Sequence, residues 1–400
     1  MRRVLVLINN SGIGGTERRL GRLFARMAGD EKDTVFVINR GLWTRLVSGG
    51  LVSAQSRHVV RWAEPFGQLA RCLPWAGDRT RFWVRKLDYL VMACRLLIRY
   101  GLSTPHLFHV VLGGAYVALP LMVMRKHHRY IVSVTDPNLA GHVGSQRALA
   151  LFRAAITRSH AVDALTEEIR VSLVREGIER SKVAASTGSV VDVARFHPAY
   201  PKQPWVVFAG RLVEEKNPLL FLEAAPAIQQ VIPEARFFIL GDGPLGESVR
   251  QGVARGRLTD VTTTGFVEDL APILAHASVF VSLQRRDNYP SQVLLEAMAS
   301  GMASVATDVG CTWRLVDEQT GMRIRTSASD IANAVIALLL NPDRCRRLGE
   351  QARQRVMQLH SETGYRVHLG HLYALVDASR SKDAHGLHDT ESIDISMTKP

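Results

Sequence analysis

Short apolar segments alternate with segments of helical period along the second half of the sequence. The apolar segments predict strands at 205–209, 236–240, 261–265, 279–283 and 303–307. The segments between and after them predict helices at 218–232, 247–255, 270–276, 292–300 and 329–340. Asn217 and Pro218 have the residue types of an N-cap and a first helical position. Such alternation is typical of a parallel sheet with helices on both faces.

The first half begins with the same pattern, which predicts a second α/β domain. A strand at 4–8 is followed by a glycine turn and a helix at 16–28, and further strands are predicted at 34–38, 107–111 and 130–134. Residues 41–80 show no clear period. A proline-containing linker at 197–204 places the domains at 1–198 and 199–360. Residues 379–400, which are poor in apolar side chains, predict a disordered tail.

Several classes of protein are excluded by simple counts. The four cysteines lie far apart and contain no C-x-x-C pair, so neither a disulfide framework nor a zinc site is indicated. The first apolar run, 4–8, is too short for a signal peptide, and the longest, 113–124, contains Pro120 and is too short to span a bilayer. We therefore expect a cytoplasmic protein.

The positive charge is confined to one half of the chain. Residues 1–200 contain 29 Lys and Arg against 14 Asp and Glu, a net charge of +15, whereas the remaining residues carry −2. This asymmetry predicts an anionic partner for the first half. Nucleic acid is one such partner, but no recognised nucleic-acid-binding motif is present, so we expect none.

Two basic helices make a membrane surface the favoured partner. The helix at 16–28 carries Arg18, Arg22 and Arg26 in i, i+4 steps. The segment 79–100 mixes large apolar residues with the cations Arg81, Arg85, Lys86, Arg95 and Arg99. Such a composition suits the plane of an anionic membrane interface. For that segment considered alone, an ordinary amphipathic helix with its apolar side in the core is the better interpretation, and only the net charge of +15 favours the membrane.

In open parallel sheets, ligands bind beyond the carboxyl ends of the strands, so the residues that follow each strand are candidate site residues. After the first strand come Gly12, Gly14 and Gly15, and a helix begins at Thr16. This arrangement lets backbone N–H groups approach an anion. A glycine turn without a ligand has the same sequence.

After the strand at 205–209, Arg211 and Lys216 place two cations beside the start of a helix. Together they could neutralise a departing diphosphate without a metal ion. The alternative is a solvated loop in which Glu214 and Glu215 pair with them.

After the strand at 279–283, the polar loop 284–291 leads into an apolar helix that contains Glu296. A carboxylate among apolar neighbours needs hydrogen-bond donors, and the hydroxyl groups of a sugar would supply them. No D-x-D sequence occurs, so we expect no metal-bound donor.

Several of these segments together resemble a known family. They are Gly210-Arg211 with Lys216, the turn 241–244, residues 265–267 and the segment 288–301. The combination resembles the retaining glycosyltransferases of family 4, the "glycosyl transferases group 1" type. In the first half, only 14–17, His109 and 131–136 match the pattern.

The resemblance implies a GT-B fold, in which two Rossmann-like, doubly wound parallel-sheet domains face a cleft. The donor nucleotide would bind the C-terminal domain and the acceptor the N-terminal domain, and a helix at 361–378 would cross back to the first domain. The residues implied in catalysis are Arg211, Lys216, Asp287 and Glu296. Those implied in donor binding, beside Arg211, Lys216 and Glu296, are Gly14, Gly15, Gly241, Phe266, Val267, Asn288, Tyr289, Pro290, Ser291 and Gln292.

Within that set, Arg211 and Lys216 would hold the diphosphate, Glu296 the ribose hydroxyls, and 265–267 the base. Two positions depart from the pattern of the family. Asp287 stands where a glutamate is frequent, and Thr135-Asp136 stands where His-Asp is frequent.

We therefore predict a metal-independent, retaining glycosyltransferase without a cofactor. Its donor would be a nucleotide sugar, a UDP-sugar rather than a GDP-sugar, and its acceptor a lipid-linked or cell-envelope glycan. It would act at the inner face of the cytoplasmic membrane. The alternatives are a nucleotide-sugar-binding protein of the same fold with weak or no transfer, and a basic nucleic-acid-binding protein.

Overall fold

The computed structural model describes most of the chain. The described residues are 3–9, 15–64, 66, 72, 77–100, 104, 106–111, 115–124, 127–135, 146–187, 189–255, 261–267 and 269–385. Within helices, only the backbone is described at 15, 78, 79, 81, 82, 85, 86, 115–117, 124, 147, 148 and 379–385.

The first half of the chain forms a parallel sheet of seven strands. They are β1 (Val4–Ile8), β2 (Thr34–Asn39), β3 (Val59–Trp62), β4 (Leu107–Val111), β5 (Arg129–Val134), β6 (Ala161–Ala164) and β7 (Val183–Ala185). Their order in the sheet is β3-β2-β1-β4-β5-β6-β7. The helices between them are α1 (Gly15–Asp30), α2 (Arg40–Ser48), α3 (Asp78–Tyr100), α4 (Ala115–Met124), α5 (Gln146–Arg158) and α6 (Glu167–Arg175).

The second half forms a parallel sheet of six strands. They are β8 (Gln203–Ala209), β9 (Arg236–Leu240), β10 (Val261–Thr263), β11 (Ala277–Ser282), β12 (Ala303–Thr307) and β13 (Gly321–Ile324), in the order β10-β9-β8-β11-β12-β13. The helices are α7 (Pro218–Val231), α8 (Gly246–Arg255), α9 (Ala271–His276), α10 (Gln292–Ala299), α11 (Ala328–Leu339), α12 (Pro342–Leu359) and α13 (Glu362–His385). The predicted α/β fold with two parallel sheets is confirmed.

Both faces of the second sheet are buried, as the continuous apolar strands require. Successive side chains of β8 point to opposite faces, so Val206 and Phe208 join one apolar cluster while Val207 joins the other. Phe221 of α7 is fully buried in the first cluster. Truncation of such a side chain to alanine costs about 3 to 5 kcal/mol.

The last helix, α13, begins in one compact unit of the chain and continues in the other. By contacts, the chain divides into a unit formed by Met1–Gly188 together with the residues from Arg366 onward, and a unit formed by Ser189–Tyr365. Leu372 and Val376 of α13 pack with Leu107 and Ile131 of the first sheet. The helix continues to His385, into the segment for which the sequence predicts disorder, and 386–400 lie outside the described residues.

Two local expectations differ from the structure. Asn217 does not cap α7 with its side chain, because it adopts a left-handed conformation (φ 53°) after a short 3₁₀ turn at Glu214–Lys216. Pro218 does begin the helix. On α1, Arg22 is only 7% exposed, so the three arginines spaced by four residues do not form a continuous solvent-facing stripe.

Candidate active site

The order of strands in the second sheet determines where a ligand can bind. β8 and β11 are neighbours, but the chain continues from β8 towards β9 on one side and from β11 towards β12 on the other. The connections diverge at this point, and a crevice forms beyond the carboxyl ends of the two strands. The loops that begin at Gly210 and Leu283 therefore border the crevice.

Hydrogen bonds join these two loops. The backbone N–H of Arg285 donates to the carbonyl of Glu215 (2.9 Å), and its guanidinium group donates to Oδ1 of Asn217 (3.3 Å). Nζ of Lys216 donates to Oε1 of Gln284 (2.8 Å). The loops thus form one surface, and the left-handed Asn217 provides an acceptor within it.

Lys216 is half-buried in this surface, and burial lowers the pKa of its ammonium group to about 8, although the charge of Glu215 opposes the shift. A diphosphate bound beside it would favour the charged form and raise the pKa again. Arg211, at the start of the same loop, is exposed. The structure therefore places both predicted cations on the loop that follows β8.

Glycines allow the neighbouring loops to approach closely. Gly241, after β9, has φ 148°, and a Cβ atom there would lie 1.9 Å from the carbonyl oxygen of Gly210. Its N–H donates to the carbonyl of Gly265 (2.8 Å). Gly210, Gly241 and Gly265 therefore lie side by side beyond β8, β9 and β10. Next to Gly265, Phe266 is 64% exposed, whereas Val267 packs against the core.

Asp287 has a backbone role that the sequence does not reveal. Its Oδ1 accepts hydrogen bonds from the backbone N–H groups of Tyr289 and Cys311, both at 3.2 Å. A Cβ atom at Gly310 would lie 2.3 Å from the Asp287 side chain. The carboxylate thus fixes the loop after β12 beside the loop after β11.

Glu296 lies on α10, half-buried between the buried residues Leu295 and Ala297. Its Oε1 accepts a hydrogen bond from Nε2 of Gln292, one turn earlier (3.0 Å). Gln292 is itself held by the Ser189 hydroxyl, which donates to its Oε1, and it donates to the carbonyl of Val190 (3.3 Å). Gln292 therefore orients the carboxylate of Glu296, and the hydroxyl of Ser189 in turn holds Gln292.

The segment before α10 leads to a helix start whose first backbone N–H groups can bind an anion. The side chain of Ser291 makes no capping hydrogen bond, so the first N–H groups of α10 depend on other acceptors. A helix N-terminus carries partial positive charge and favours an anion. Tyr289 and Pro290 are half-buried, and the guanidinium of Arg314 lies 5.3 Å from the centre of the Tyr289 ring. Asn288 is exposed.

The other predicted site residues belong to the first unit. Gly14 and Asp136 lie outside the described residues, Gly15 begins α1, and Thr135 is half-buried directly after β5. In the part of the chain that the structure describes, no three His, Cys, Asp or Glu residues are grouped so that they could hold a metal ion. The same part contains no helix long and apolar enough to cross a membrane.

His109 is fully buried in a polar network of the first sheet. Its Nε2 lies 2.7 Å from the Ser133 hydroxyl, which donates to Oδ2 of Asp163 (2.8 Å). Because the proton of Ser133 points to Asp163, Nε2 of His109 must be the donor to Ser133. Its Nδ1 then accepts from the hydroxyl of Tyr373 on α13 (2.8 Å). Burial lowers the pKa of His109 to about 4, so the ring is neutral and serves to hold α13 against the sheet.

Comparison with known proteins extends these observations. The family described as glycosyl transferases group 1 matches residues 203–341, which contain both loops of the crevice and α10. The alpha-D-kanosaminyltransferase of Streptomyces kanamyceticus is 28% identical over 61% of this chain and 68% of that protein. Residues 203–341 form a domain of the group 1 glycosyltransferase type.

A second relative is also a glycosyltransferase by name. The GDP-mannose-dependent alpha-(1-6)-phosphatidylinositol dimannoside mannosyltransferase of Mycobacterium tuberculosis is 27% identical over 56% of this chain and 62% of that protein. The alignment with the alpha-maltose-1-phosphate synthase of Mycolicibacterium smegmatis spans only 52% of that enzyme.

Solved structures confirm the fold. HepE of Anabaena, in complex with UDP and glucose, superimposes with a TM-score of 0.69 over 94% of this chain and 100% of that chain, at 14% identity. Sucrose-phosphate synthase from Thermosynechococcus elongatus gives a TM-score of 0.67 over 94% of this chain and 100% of that one, at 18% identity. The chain thus has the GT-B fold that the sequence resemblance implied.

Proposed function

We propose that this glycosyltransferase moves a sugar from a UDP-sugar to a lipid-linked or cell-envelope glycan, with retention at the anomeric carbon and without a metal ion. The observation that carries the proposal is the half-buried Lys216, held by Gln284 beside the divergence of β8 and β11. Negative charge grows on the diphosphate as the glycosidic bond breaks. Fixed cations and the start of α10 stabilise that charge more in the transition state than in the ground state.

Glu296 has the position and support expected of a residue that binds ribose. Its carboxylate is oriented by Gln292, which is in turn held by Ser189 and Val190. An ionised carboxylate accepts hydrogen bonds from two vicinal hydroxyls, and such charge-assisted bonds are about twice as strong as neutral ones. In this proposal Phe266, exposed beyond β10, stacks on the base.

The identity of the donor base rests on the relatives. HepE was solved in complex with UDP and with UDP-glucose, which supports a UDP-sugar. The mycobacterial mannosyltransferase is named as GDP-mannose-dependent, so a GDP-sugar belongs in any donor screen.

The surface of α3 supports an acceptor at a membrane. Trp83, Leu87, Leu90 and Ile98 are all exposed, and their spacing places them on one face of the helix. Arg95 and Arg99 are exposed on the same helix. An exposed apolar stripe with neighbouring arginines suits the interface of an anionic leaflet. The name of the mycobacterial relative includes a phosphatidylinositol acceptor, which points to the same kind of substrate.

The experiment that tests the proposal is donor turnover by the purified full chain. UDP-glucose, UDP-galactose, UDP-N-acetylglucosamine and GDP-mannose are each supplied, with and without EDTA, and released nucleotide is measured. We expect turnover of a UDP-sugar that survives EDTA, is lost in Lys216→Ala and persists in Arg250→Gln, an exposed change on α8. The anomeric configuration of the product, read by NMR, should match that of the donor.

Two results would count against the proposal. Inversion of configuration would contradict retention, and loss of turnover with EDTA would contradict metal independence. Tight donor binding without any turnover would instead support the alternative of a nucleotide-sugar-binding protein.

A further inference from the structure

A groove lies between the edge strand of the first sheet and α3, in the unit that does not contain the donor crevice. Its volume is about 310 Å³, which falls at the lower end of the range for small-molecule sites. Its apolar wall comes from β2, β3 and α3, chiefly from Val37, Val60, Trp62, Met92 and Leu96. β3 is the outermost strand, so the groove lies at the margin of the sheet.

The groove is elongated along the helix. The residues of α3 that line it recur at steps of three and four, from Asp88 through Met92 and Leu96 to Arg99, and form a single face. The eleven steps from Asp88 to Arg99 span about 16 Å at 1.5 Å per residue. A narrow apolar groove of this length fits an extended hydrocarbon chain better than a compact ring.

The two ends of the groove differ in charge. Arg95 and Arg99, both exposed, line the end that is formed by the last turns of α3. Asp88 lies about two turns from Arg95 and three from Arg99. It is only 2% exposed, and its Oδ1 accepts from the backbone N–H of Phe66 (3.1 Å). The carboxylate is therefore buried and bonded, whereas the two arginines are open to an anionic group.

Trp62 adds an aromatic ring to the wall of the groove. Its side chain is 8% exposed, and its indole Nε1 is closed to solvent. The ring therefore contributes apolar surface to the groove rather than a hydrogen-bond donor.

We propose that this groove binds a single-chain anionic phospholipid. The acyl chain lies along Trp62, Met92 and Leu96, and the phosphate is held by Arg95 and Arg99. The occupant is a lipid because an apolar groove with cations at one end is complementary to an amphiphile. The site gives the first unit a specific lipid ligand and does not depend on the donor chemistry proposed above.

Four probes applied to the full chain by isothermal titration calorimetry, each below its micelle concentration, separate the parts of the ligand. They are monolauroyl phosphatidate, dodecyl phosphate, monolauroylglycerol and inorganic phosphate. We expect saturable binding of the phosphatidate and of dodecyl phosphate, and at least about tenfold weaker binding of monolauroylglycerol and inorganic phosphate.

Three variants test the residues. The double variant Arg95→Gln with Arg99→Gln should weaken phosphatidate binding at least about tenfold. The matched change at exposed Arg346 and Arg347 of α12 should leave it unaltered. Trp62→Phe, which keeps an aromatic ring in the apolar wall, should leave the preference for phosphatidate over monolauroylglycerol unaltered. UDP titrated into each variant confirms independently that the second unit is folded.

Four outcomes would overturn the proposal. These are absence of saturable phosphatidate binding, equal affinity for inorganic phosphate, equal affinity for uncharged monolauroylglycerol, and unchanged binding in the Arg95 and Arg99 variant. Equal phosphate affinity would mean a free-anion site, and equal monolauroylglycerol affinity would mean non-specific apolar binding.

Discussion

The ammonium group of Lys216 combines two properties that a leaving-group ligand needs. It is positioned by Gln284 at 2.8 Å, and burial lowers its pKa to about 8, close to the pH of a cell. In the proposed site a bound diphosphate would favour the protonated form, so donor binding and protonation of this lysine would be thermodynamically linked. The charge of Lys216 would then depend on the presence of the diphosphate.

This linkage predicts how nucleotide affinity depends on pH. Without ligand, Lys216 loses its proton as the pH rises through about 8, so the affinity for UDP should fall over this range. Calorimetry from about pH 7 to about pH 9.5 avoids the titration of the terminal phosphate near pH 6. Lys216→Gln should bind more weakly and show a flatter profile. Parallel profiles in the two proteins would contradict the role of Lys216.

Glu296→Gln tests the proposed contact with ribose. An amide keeps the shape of the side chain but loses charge-assisted hydrogen bonds worth about 1.5 to 3 kcal/mol, so UDP affinity should fall about tenfold or more. Glu247→Gln, which changes an exposed residue paired with Arg250, is the matched control and should bind normally. Equal UDP affinity in the two variants, with intact folding, would remove Glu296 from the site.

The residues of the candidate site can be predicted from the sequence, but the hydrogen bonds between them cannot. The sequence indicates Arg211 and Lys216 because they follow a predicted strand. It indicates Glu296 because this carboxylate lies within a predicted apolar helix. The bond from the Cys311 N–H to Asp287 joins residues 24 positions apart, and that from Lys216 to Gln284 joins residues 68 apart. Both depend on which strands become neighbours, and a single sequence does not specify strand order.

At the scale of elements, the loops beyond β8, β9 and β10 are shaped by glycine rather than by side chains. The turn after β9 is predictable from its Gly-Asp-Gly-Pro sequence. Why position 241 requires glycine follows only from the three-dimensional structure, in which a side chain there would collide with the backbone of Gly210.

Two glycine variants separate backbone strain from collision. Both Gly241 and Gly265 have positive φ, but a Cβ atom at Gly265 meets nothing within 4 Å. We expect Gly265→Ala to cost about 1 to 2 kcal/mol of unfolding free energy and Gly241→Ala at least about 3 kcal/mol. Denaturant unfolding of the full chain, followed at the transition that UDP stabilises, measures both. Equal costs would show that the loops can separate without penalty.

The elements that sequence patterns miss are those with weak patterns. β6 has the sequence AVDA, in which the buried Asp163 interrupts the apolar run, and β13 has only four residues. Within 41–80, where no period is evident, the structure contains most of α2 and the short edge strand β3. Asp163 is acceptable inside a strand because Ser133 and His368 donate to its two oxygens.

The buried network predicts an acid limit for the docking of α13. The pKa of His109 is lowered from 6.5 to about 4, so between these values the unfolded chain binds a proton that the folded chain does not. The unfolding free energy should therefore fall as the pH decreases through this window, by about 3 kcal/mol in total. His109→Gln can keep both hydrogen bonds and should flatten the slope in urea unfolding. An unchanged slope would contradict the assignment.

At the scale of the whole molecule, the basic side chains of the first half differ in their exposure to solvent. Arg19 and Arg22 of α1 are buried, whereas Arg95 and Arg99 of α3 are exposed near an apolar stripe. The membrane-facing element is therefore α3 rather than α1 in our proposal. The side chains of Arg81, Arg85 and Lys86 lie outside the described residues.

Vesicle flotation of the full chain tests this proposal. Vesicles of phosphatidylglycerol and phosphatidylcholine should retain the protein at low salt and release it as screening shortens the reach of charge to about 8 Å at physiological ionic strength. Arg95→Gln with Arg99→Gln should weaken attachment by about 2 kcal/mol, and the Arg346 and Arg347 control should not. Protein that stays unbound at low salt would mean that the charge serves a soluble anionic acceptor.

The position of α13 has a consequence for the order of synthesis. On the ribosome, the residues up to Gly188 emerge long before Leu372, Tyr373 and Val376, which complete the first sheet's cover. At the usual rate of translation, the intervening segment Ser189–Tyr365 delays them by roughly 10 to 35 seconds. During that interval His109 lacks its phenolic donor, and the apolar patch around Leu107 and Ile131 faces water. The nascent first half is therefore a natural client for chaperones, and a protein truncated before α13 should be recovered mainly in aggregates.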